Sequence, residues 1–412
     1  MMRRTVILIV AIAAVMALAW AAGFYRDHLR GVGPAVGEPP RDIAEVINTT
    51  GMPLTLPDGF SMTIFARDLG DPRAMIKDPS DTLLVSIPAQ GRVAALPDRN
   101  GDGAADEVVP VIWALDRPHG LALRCMKTEG VPSGQCTLYV AETGRVAAYD
   151  YDQGNMKAAN KRTIMELPSD GGHFTRSLLL LPPPNDHKLL VAVGSSCNVC
   201  EEGDLRRAKI LIVDLNGAAG ETFASGLRNA VFMAVAPQTG KVWATEMGRD
   251  LLGDDTPPDE INIIEQGRHY GWPICYGRNI QDTAFHPNDH AHTRAHCALP
   301  FEVPSHIDIP AHSAPLGLAF VPSEGWPEAW RGDLLVAFHG SWNRSVPTGY
   351  KIVRYDLDEQ GNVLGVSDVI SGWLTAQGAL GRPVDILVEP HGIMYISDDK
   401  AGVVYRVTST LP

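Results

Sequence analysis

The chain has 412 residues, of which 45% are hydrophobic, and its 35 Lys+Arg against 48 Asp+Glu give a formal net charge of −13. That content excludes a disordered chain, and the acidic balance excludes a nucleic-acid backbone as partner. The 40 Gly and 31 Pro punctuate many short strands better than they serve long helices, so an all-β fold is expected.

At the amino terminus, Arg3 and Arg4 precede an uncharged run from Thr5 to Tyr25, roughly the length that spans a bilayer. Residues 1–25 read as an export segment. It is either a signal peptide, with Ala19-Trp20-Ala21 as a small-x-small cleavage site, or an uncleaved single-span anchor helix. Either form places the rest of the chain in the periplasm, secreted or tethered to the inner membrane. Residues 26–55, rich in Pro and Gly around Gly31 to Arg41, read as a linker, and residues 56–412 as one domain. The six cysteines fall in close pairs, Cys125 with Cys136, Cys197 with Cys200 and Cys275 with Cys297, which suits disulfides in an oxidising compartment. The CNVC sequence at Cys197 to Cys200 lacks the following His that covalent haem attachment needs.

Beyond the linker, an apolar strand, a polar turn, a second strand, a loop and a third strand recur about six times, from Ala74, Gly120, Ser177, Phe232, Gly317 and Val384. Each copy is too small to bury its apolar faces alone, and radial packing solves that problem. The expected fold is a six-bladed β-propeller, with FSMTIFARDL from Phe60 as a closing strand for the last blade.

Propeller loops converge on the mouth of a central channel, so chemistry is sought there. Those loops include RPHG at Arg117 to Gly120, GGHFTR at Gly171 to Arg176, GLRN at Gly226 to Asn229, FHGSWNR at Phe338 to Arg344 and GRPVD at Gly381 to Asp385. An isolated His or Arg in a loop is ordinary. Together, His119, His173, His312 and His339 with Arg176, Arg228, Arg344 and Arg382 would give a cationic mouth suited to a multiply anionic ligand. The stretch DRNGDGAAD resembles an EF-hand-type loop, with oxygen ligands at Asp98, Asn100, Asp102 and Asp106 and with Gly103 at the turn. Its twelfth position is Val109, so the bidentate carboxylate is missing, and a second Ca²⁺ site and a plain acidic turn both stay open. The acidic stretch from Asp250 to Asn262 is a further place for a cation or a solvated loop.

The run GLRNAVFMAVAPQTGKVWATEMGRD, followed by DEINIIEQGRHYGWP from Asp259 to Pro273, resembles the glucose/sorbosone dehydrogenases, six-bladed propellers that use pyrroloquinoline quinone. GSSCNVCEE and FHGSWNR resemble the sorbosone or pyranose dehydrogenase branch, and the resemblance extends from about Phe60 to Val407. It implies pyrroloquinoline quinone and Ca²⁺ as cofactors, a sugar or sugar aldehyde as substrate, and a quinone or cytochrome as downstream electron acceptor. By position it implies His173 as general base and Arg228 with Asn229 as contacts to the quinone at the reacting centre. Gly248 and Arg249 fall where two backbone carbonyls ligate Ca²⁺, and Arg382 matches one arm of an arginine clamp. His119, Arg176, His312 and Arg344 complete the expected cofactor-binding set, with Arg344 or Lys351 in place of the family's lysine. Two departures stand out. The second clamp position is Val384, and the carboxylate that orients the base falls at Ser195, so the imidazole is held by a hydroxyl and is less basic, or is held by Asp204 or Glu201. Those departures keep two other readings open: a ligand- or protein-binding propeller without redox chemistry, and a Ca²⁺-dependent propeller lactonase.

Overall fold

The computed structural model describes residues 15–20, 48–126, 135–215, 220–285 and 296–409. Residues 15–20 are helical, and the rest of the expected export segment lies outside the described residues. Among the described residues no helix is long and apolar enough to cross a membrane.

The body is six four-stranded antiparallel sheets in a ring, the expected propeller. The innermost strands are Met75–Lys77, Leu121–Met126, Arg176–Leu180, Ala230–Val235, Pro315–Phe320 and Pro383–Glu389, and each packs against the innermost strand of the next blade around the channel. Second strands such as Leu83–Ile87 and Leu334–Phe338 are buried at every position. Both of their faces are covered by neighbouring blades, so their sequences run continuously apolar instead of alternating. Outer strands such as Lys157–Glu166 face solvent and read KAANKRTIME.

The ring is closed by Phe60–Ala66, which pairs with Val403–Ser409 and completes the last blade. Segments from opposite ends of the propeller are thereby stitched into one sheet, and Ser61 and Thr408 add a 2.6 Å hydroxyl bond across the seam. Residues 48–55, read from sequence as linker, pack on this seam: Asn48 is buried and Thr55 bridges to Ser371.

Each blade runs from its first strand away from one mouth and returns on its second, so the links between second and third strands, and those between blades, share that mouth. Blade 4 adds an excursion between Asp259–Ile264 and Ile307–Ile309. It climbs to the same mouth, where Trp272 Nε1 donates to Asn198 O at 3.4 Å and Asp282 pairs with Arg249 at 2.7 Å. All three expected disulfides are formed, and the described residues hold no free cysteine.

Candidate functional site

His173 stands just ahead of the innermost strand Arg176–Leu180. Its Nδ1 lies 2.8 Å from the carbonyl oxygen of Ser195 and 3.0 Å from Ser195 Oγ, and that hydroxyl donates to Cys197 O at 2.6 Å. Because the Ser195 proton is already directed at Cys197, both oxygens face Nδ1 as acceptors. The imidazole is therefore protonated at Nδ1, and the Nε2 lone pair is left for chemistry. Burial, reinforced by the Arg228 charge, pushes the His173 pKa down to about 4. The structure thus sets Ser195 against Nδ1 by its carbonyl as well as by the expected hydroxyl, while Asp204 pairs with Arg206 at 2.6 Å.

Two glycines frame this arrangement. Gly194 lies so close to its neighbours that a Cβ there would sit 2.6 Å from Asn229 Oδ1 and 2.8 Å from the His173 Cβ. Gly171, at φ +94, would place a Cβ 2.7 Å from Ser196 Cα. Gly171 thereby admits the backbone that leads into the Cys197–Cys200 loop.

Arg228 is almost wholly buried and donates to Asn198 O at 2.9 Å, Asn198 Oδ1 at 3.0 Å, Met247 O at 3.2 Å and Asp250 Oδ2 at 3.1 Å. Asp250 also accepts from Asn343 at 2.7 Å, which joins blades 3, 4 and 5. The backbone N–H of Asn229 donates to Glu246 Oε1 at 3.0 Å. Burial pushes the Glu246 carboxyl well above the usual range, against the Asn229 N–H and the Arg228 charge.

A second cluster crosses the ring's seam. Arg73 Nη1 lies 2.6 Å from Asp399 Oδ2, and His339 Nε2 lies 2.9 Å from Asp399 Oδ1. Arg382 donates to His339 O at 3.0 Å and to Gly340 O, with its guanidinium 5.4 Å from the Tyr350 ring centre. Against the burial that pushes its carboxyl up, His339 and Arg73 hold Asp399 well below the usual carboxylate range. His119, fully buried against Phe232, is kept neutral by burial and by the Arg73 charge, and its Nε2 has no protein partner.

Several expected site residues are turned elsewhere. Arg176 donates to the carbonyls of His173 at 2.8 Å, Thr175 at 2.9 Å and Pro168 at 2.7 Å, so it braces the loop that carries the base. Arg344 donates to Asp254 O at 2.6 Å and pairs with Asp255 at 2.7 Å, fastening the acidic stretch after Asp250 to blade 5. His312 Nε2 donates to Gly253 O at 2.7 Å. The mouth is thus not the bare cationic surface the sequence suggested, because Arg228, Arg249, Arg344 and Arg73 each have a carboxylate partner. Gly248 is fixed by its N–H to Asp259 Oδ1 at 2.8 Å, and a Cβ there would lie 2.7 Å from Pro258 O. Val384 is fully buried in the core between blades and cannot act as a clamp. In the DRNGDGAAD loop, Asp98 accepts from Gly101, Asp102 and Gly103 N–H groups at 2.8 to 3.2 Å. Asn100 accepts the Asp102 N–H at 2.9 Å and Asp106 the Arg99 N–H at 2.7 Å. These bonds tie the side-chain oxygens of Asp98, Asn100 and Asp106 to the loop's own backbone N–H groups.

Arg73 and Asp399 escaped the sequence reading. DPRAM carries no marker, and the partners are 326 residues apart; their matching places at the mouth of adjoining blades were the one available signal.

A family model described as TrAA12-like matches residues 54–410. A pyrroloquinoline quinone-dependent pyranose dehydrogenase from Coprinopsis cinerea is 26% identical over 340 residues, covering 73% of this chain but only 44% of that protein's length. The calcium structure of Trichoderma reesei Carbohydrate-Active Enzymes Family AA12 is similar at a TM-score of 0.71 and 24% identity, covering 87% of this chain and 97% of that one. The holo form of the pyranose dehydrogenase PQQ domain from Coprinopsis cinerea is similar at a TM-score of 0.71 and 22% identity, covering 90% and 98%. At these identities the structural likeness speaks for the fold alone.

Proposed function

The chain belongs to the TrAA12-like family, and from that premise we propose that it is a pyrroloquinoline quinone-dependent dehydrogenase of a sugar or sugar aldehyde, with His173 as general base. The observation that carries this reading is a neutral imidazole, locked at Nδ1 by Ser195, beside the buried Arg228.

The residues at the mouth fit such a cofactor. Arg73 and Arg249 each keep a buried Nε–H with no protein partner, and unmet buried donors on cations suit an acceptor-rich anion. Arg228, Asn229, Arg73 and Arg382 would hold the quinone and its carboxylates, and the carbonyls of Gly248 and Arg249 would hold a Ca²⁺. Arg73, from the neighbouring blade, takes the part that Val384 cannot. When bound, the quinone supplies the two-electron acceptor for a hydride.

The protein's own part is proton transfer and orientation. His173 Nε2 takes the hydroxyl proton of the substrate while Nδ1–H stays on the Ser195 carbonyl, which keeps the ring from turning. A base whose pKa is pushed down to about 4 is weak but unprotonated at any ordinary pH. Such a base suits the more acidic hydroxyl of a hemiacetal or aldehyde hydrate better than that of a simple alcohol. Arg176 holds the His173 loop by three carbonyls and so fixes the base at a distance from the chemistry.

The three disulfides and the apolar run after Arg3 and Arg4 support export to the periplasm, and electrons would pass on to a quinone or cytochrome. The reading is tested by loading the purified protein with pyrroloquinoline quinone and Ca²⁺ and assaying a panel of aldoses and sugar aldehydes with an artificial acceptor. Turnover of at least one supports it, and no turnover of any refutes it.

A further inference from the structure

We infer that the disulfide-closed loop Cys197–Cys200 is a positioning element that sets the general base and the buried arginine together, through Cys197 O on one side and Asn198 on the other. The inference rests on the proposed role of His173 and extends it to the loop that lies between that base and Arg228.

The loop lies between the two groups. On one flank, Cys197 O accepts the Ser195 hydroxyl at 2.6 Å. That bond excludes the alternative in which the hydroxyl donates to Nδ1 and moves the imidazole proton to Nε2, where it would block proton uptake. On the other flank, the Asn198 carbonyl and side-chain oxygen accept Arg228 at 2.9 and 3.0 Å. The rest of the Asn198 amide is engaged with the Asp250 backbone, accepting at 2.7 Å and donating at 3.0 Å. No rotation of Asn198 is then free of cost, and Arg228 inherits its fixity.

Three anchors hold the loop. The bond between Cys197 and Cys200 closes it, Val199 packs into the small apolar cluster of Ile274, Cys275, Phe285 and Cys297, and Glu202 accepts the Ser196 N–H and hydroxyl at 2.7 Å each. The grouping of Cys197, Cys200 and Glu202 has metal-ligand spacing, but both sulfurs are joined to each other and are not available as thiolates.

The test is the pair Cys197→Ser/Cys200→Ser, compared with Cys125→Ser/Cys136→Ser, which removes the disulfide of blade 2 and controls for loss of any one bridge. Two readouts are taken: the ¹⁵N chemical shifts of the His173 ring in protein without cofactor, which report the tautomer, and kcat and KM of the loaded enzyme. The wild type and the Cys125 control should show the Nδ1–H tautomer alone. The Cys197 pair should show a mixture, with kcat lower by roughly tenfold to a hundredfold, as misplacement of a catalytic group produces, and KM changed far less. Should that pair unfold, Asn198→Ala serves instead: it removes the side-chain oxygen that holds Arg228 and should lower kcat in the same way, and an unchanged kcat in that variant overturns the inference. A folded Cys197 pair that keeps both the wild-type tautomer and the wild-type kcat overturns the inference. If in addition His173→Ala is fully active, the proposed base itself fails; if His173→Ala is dead, only the positioning role is lost.

Discussion

The guanidinium of Arg73, at the head of the first blade, lies 2.6 Å from the carboxylate of Asp399 on the last. The pair spans the ring's closing seam at the mouth, and Arg382 and His339 complete it. On the proposed reading, Arg73 would supply from a neighbouring blade the cation that is missing at Val384. The prediction is that Arg73→Ala weakens binding of pyrroloquinoline quinone by on the order of tenfold to a hundredfold, the worth of a charge-assisted contact to a desolvated anion. Equilibrium titration of the cofactor checks it, and an unchanged Kd would remove Arg73 from the site.

Arg228→Ala removes a cation and four hydrogen bonds at once, so it should weaken cofactor binding by a similar factor. It should also lower thermal stability, because Asp250 is left with its buried partner gone. Calorimetry beside the titration separates the two effects; a loss of affinity with no change in Tm would mean that Arg228 does not brace Asp250.

For the base itself, His173→Ala should retain cofactor binding and Tm yet lose at least about a hundredfold in turnover. A variant with lower Tm and near-normal turnover per folded molecule would make His173 a structural residue.

The pH profile follows from the direction of the His173 shift. The working form is the neutral imidazole, and burial with the Arg228 charge lowers its pKa from the ordinary 6.5 to about 4. The neutral fraction therefore persists as pH falls, and the acid limb of kcat/KM should lie near 4 instead of 6.5. A rate profile between pH 3.5 and 8 measures it, and a limb at 6.5 would mean that the imidazole is not held as described.

Gly194→Ala probes the approach of base and quinone contact. The added methyl would meet Asn229 Oδ1 at 2.6 Å and the His173 Cβ at 2.8 Å, both of which must move. Turnover and cofactor affinity should both fall while the outer blades remain folded by circular dichroism. Normal values for both would show that this spacing is not needed.

The propeller was legible because its cause is local: six apolar copies, each unable to bury itself, start within two residues of the innermost strands of six blades, and even the closing strand from Phe60 was visible. The tether of His173 was legible in part, as Ser195 where a carboxylate would stand, but the choice among Ser195, Asp204 and Glu201 needed the folded loop. The cationic mouth was misjudged because a sequence shows charges and not their partners; Arg344 with Asp255 and Arg228 with Asp250 are matched only after folding. Arg73 with Asp399 is matched across the seam only after folding as well.

The proposed activity requires that the mouth hold a redox-active quinone and pass a substrate's hydride to it. The most direct measurement is the absorption spectrum of purified protein titrated with pyrroloquinoline quinone in the presence of Ca²⁺, followed by addition of an aldose under exclusion of oxygen. Wild type should show a saturable quinone band that the sugar converts to its reduced form, and in His173→Ala the sugar should leave that band oxidised on the same timescale. No saturable band, or a bound quinone that no aldose or sugar aldehyde reduces, would contradict it.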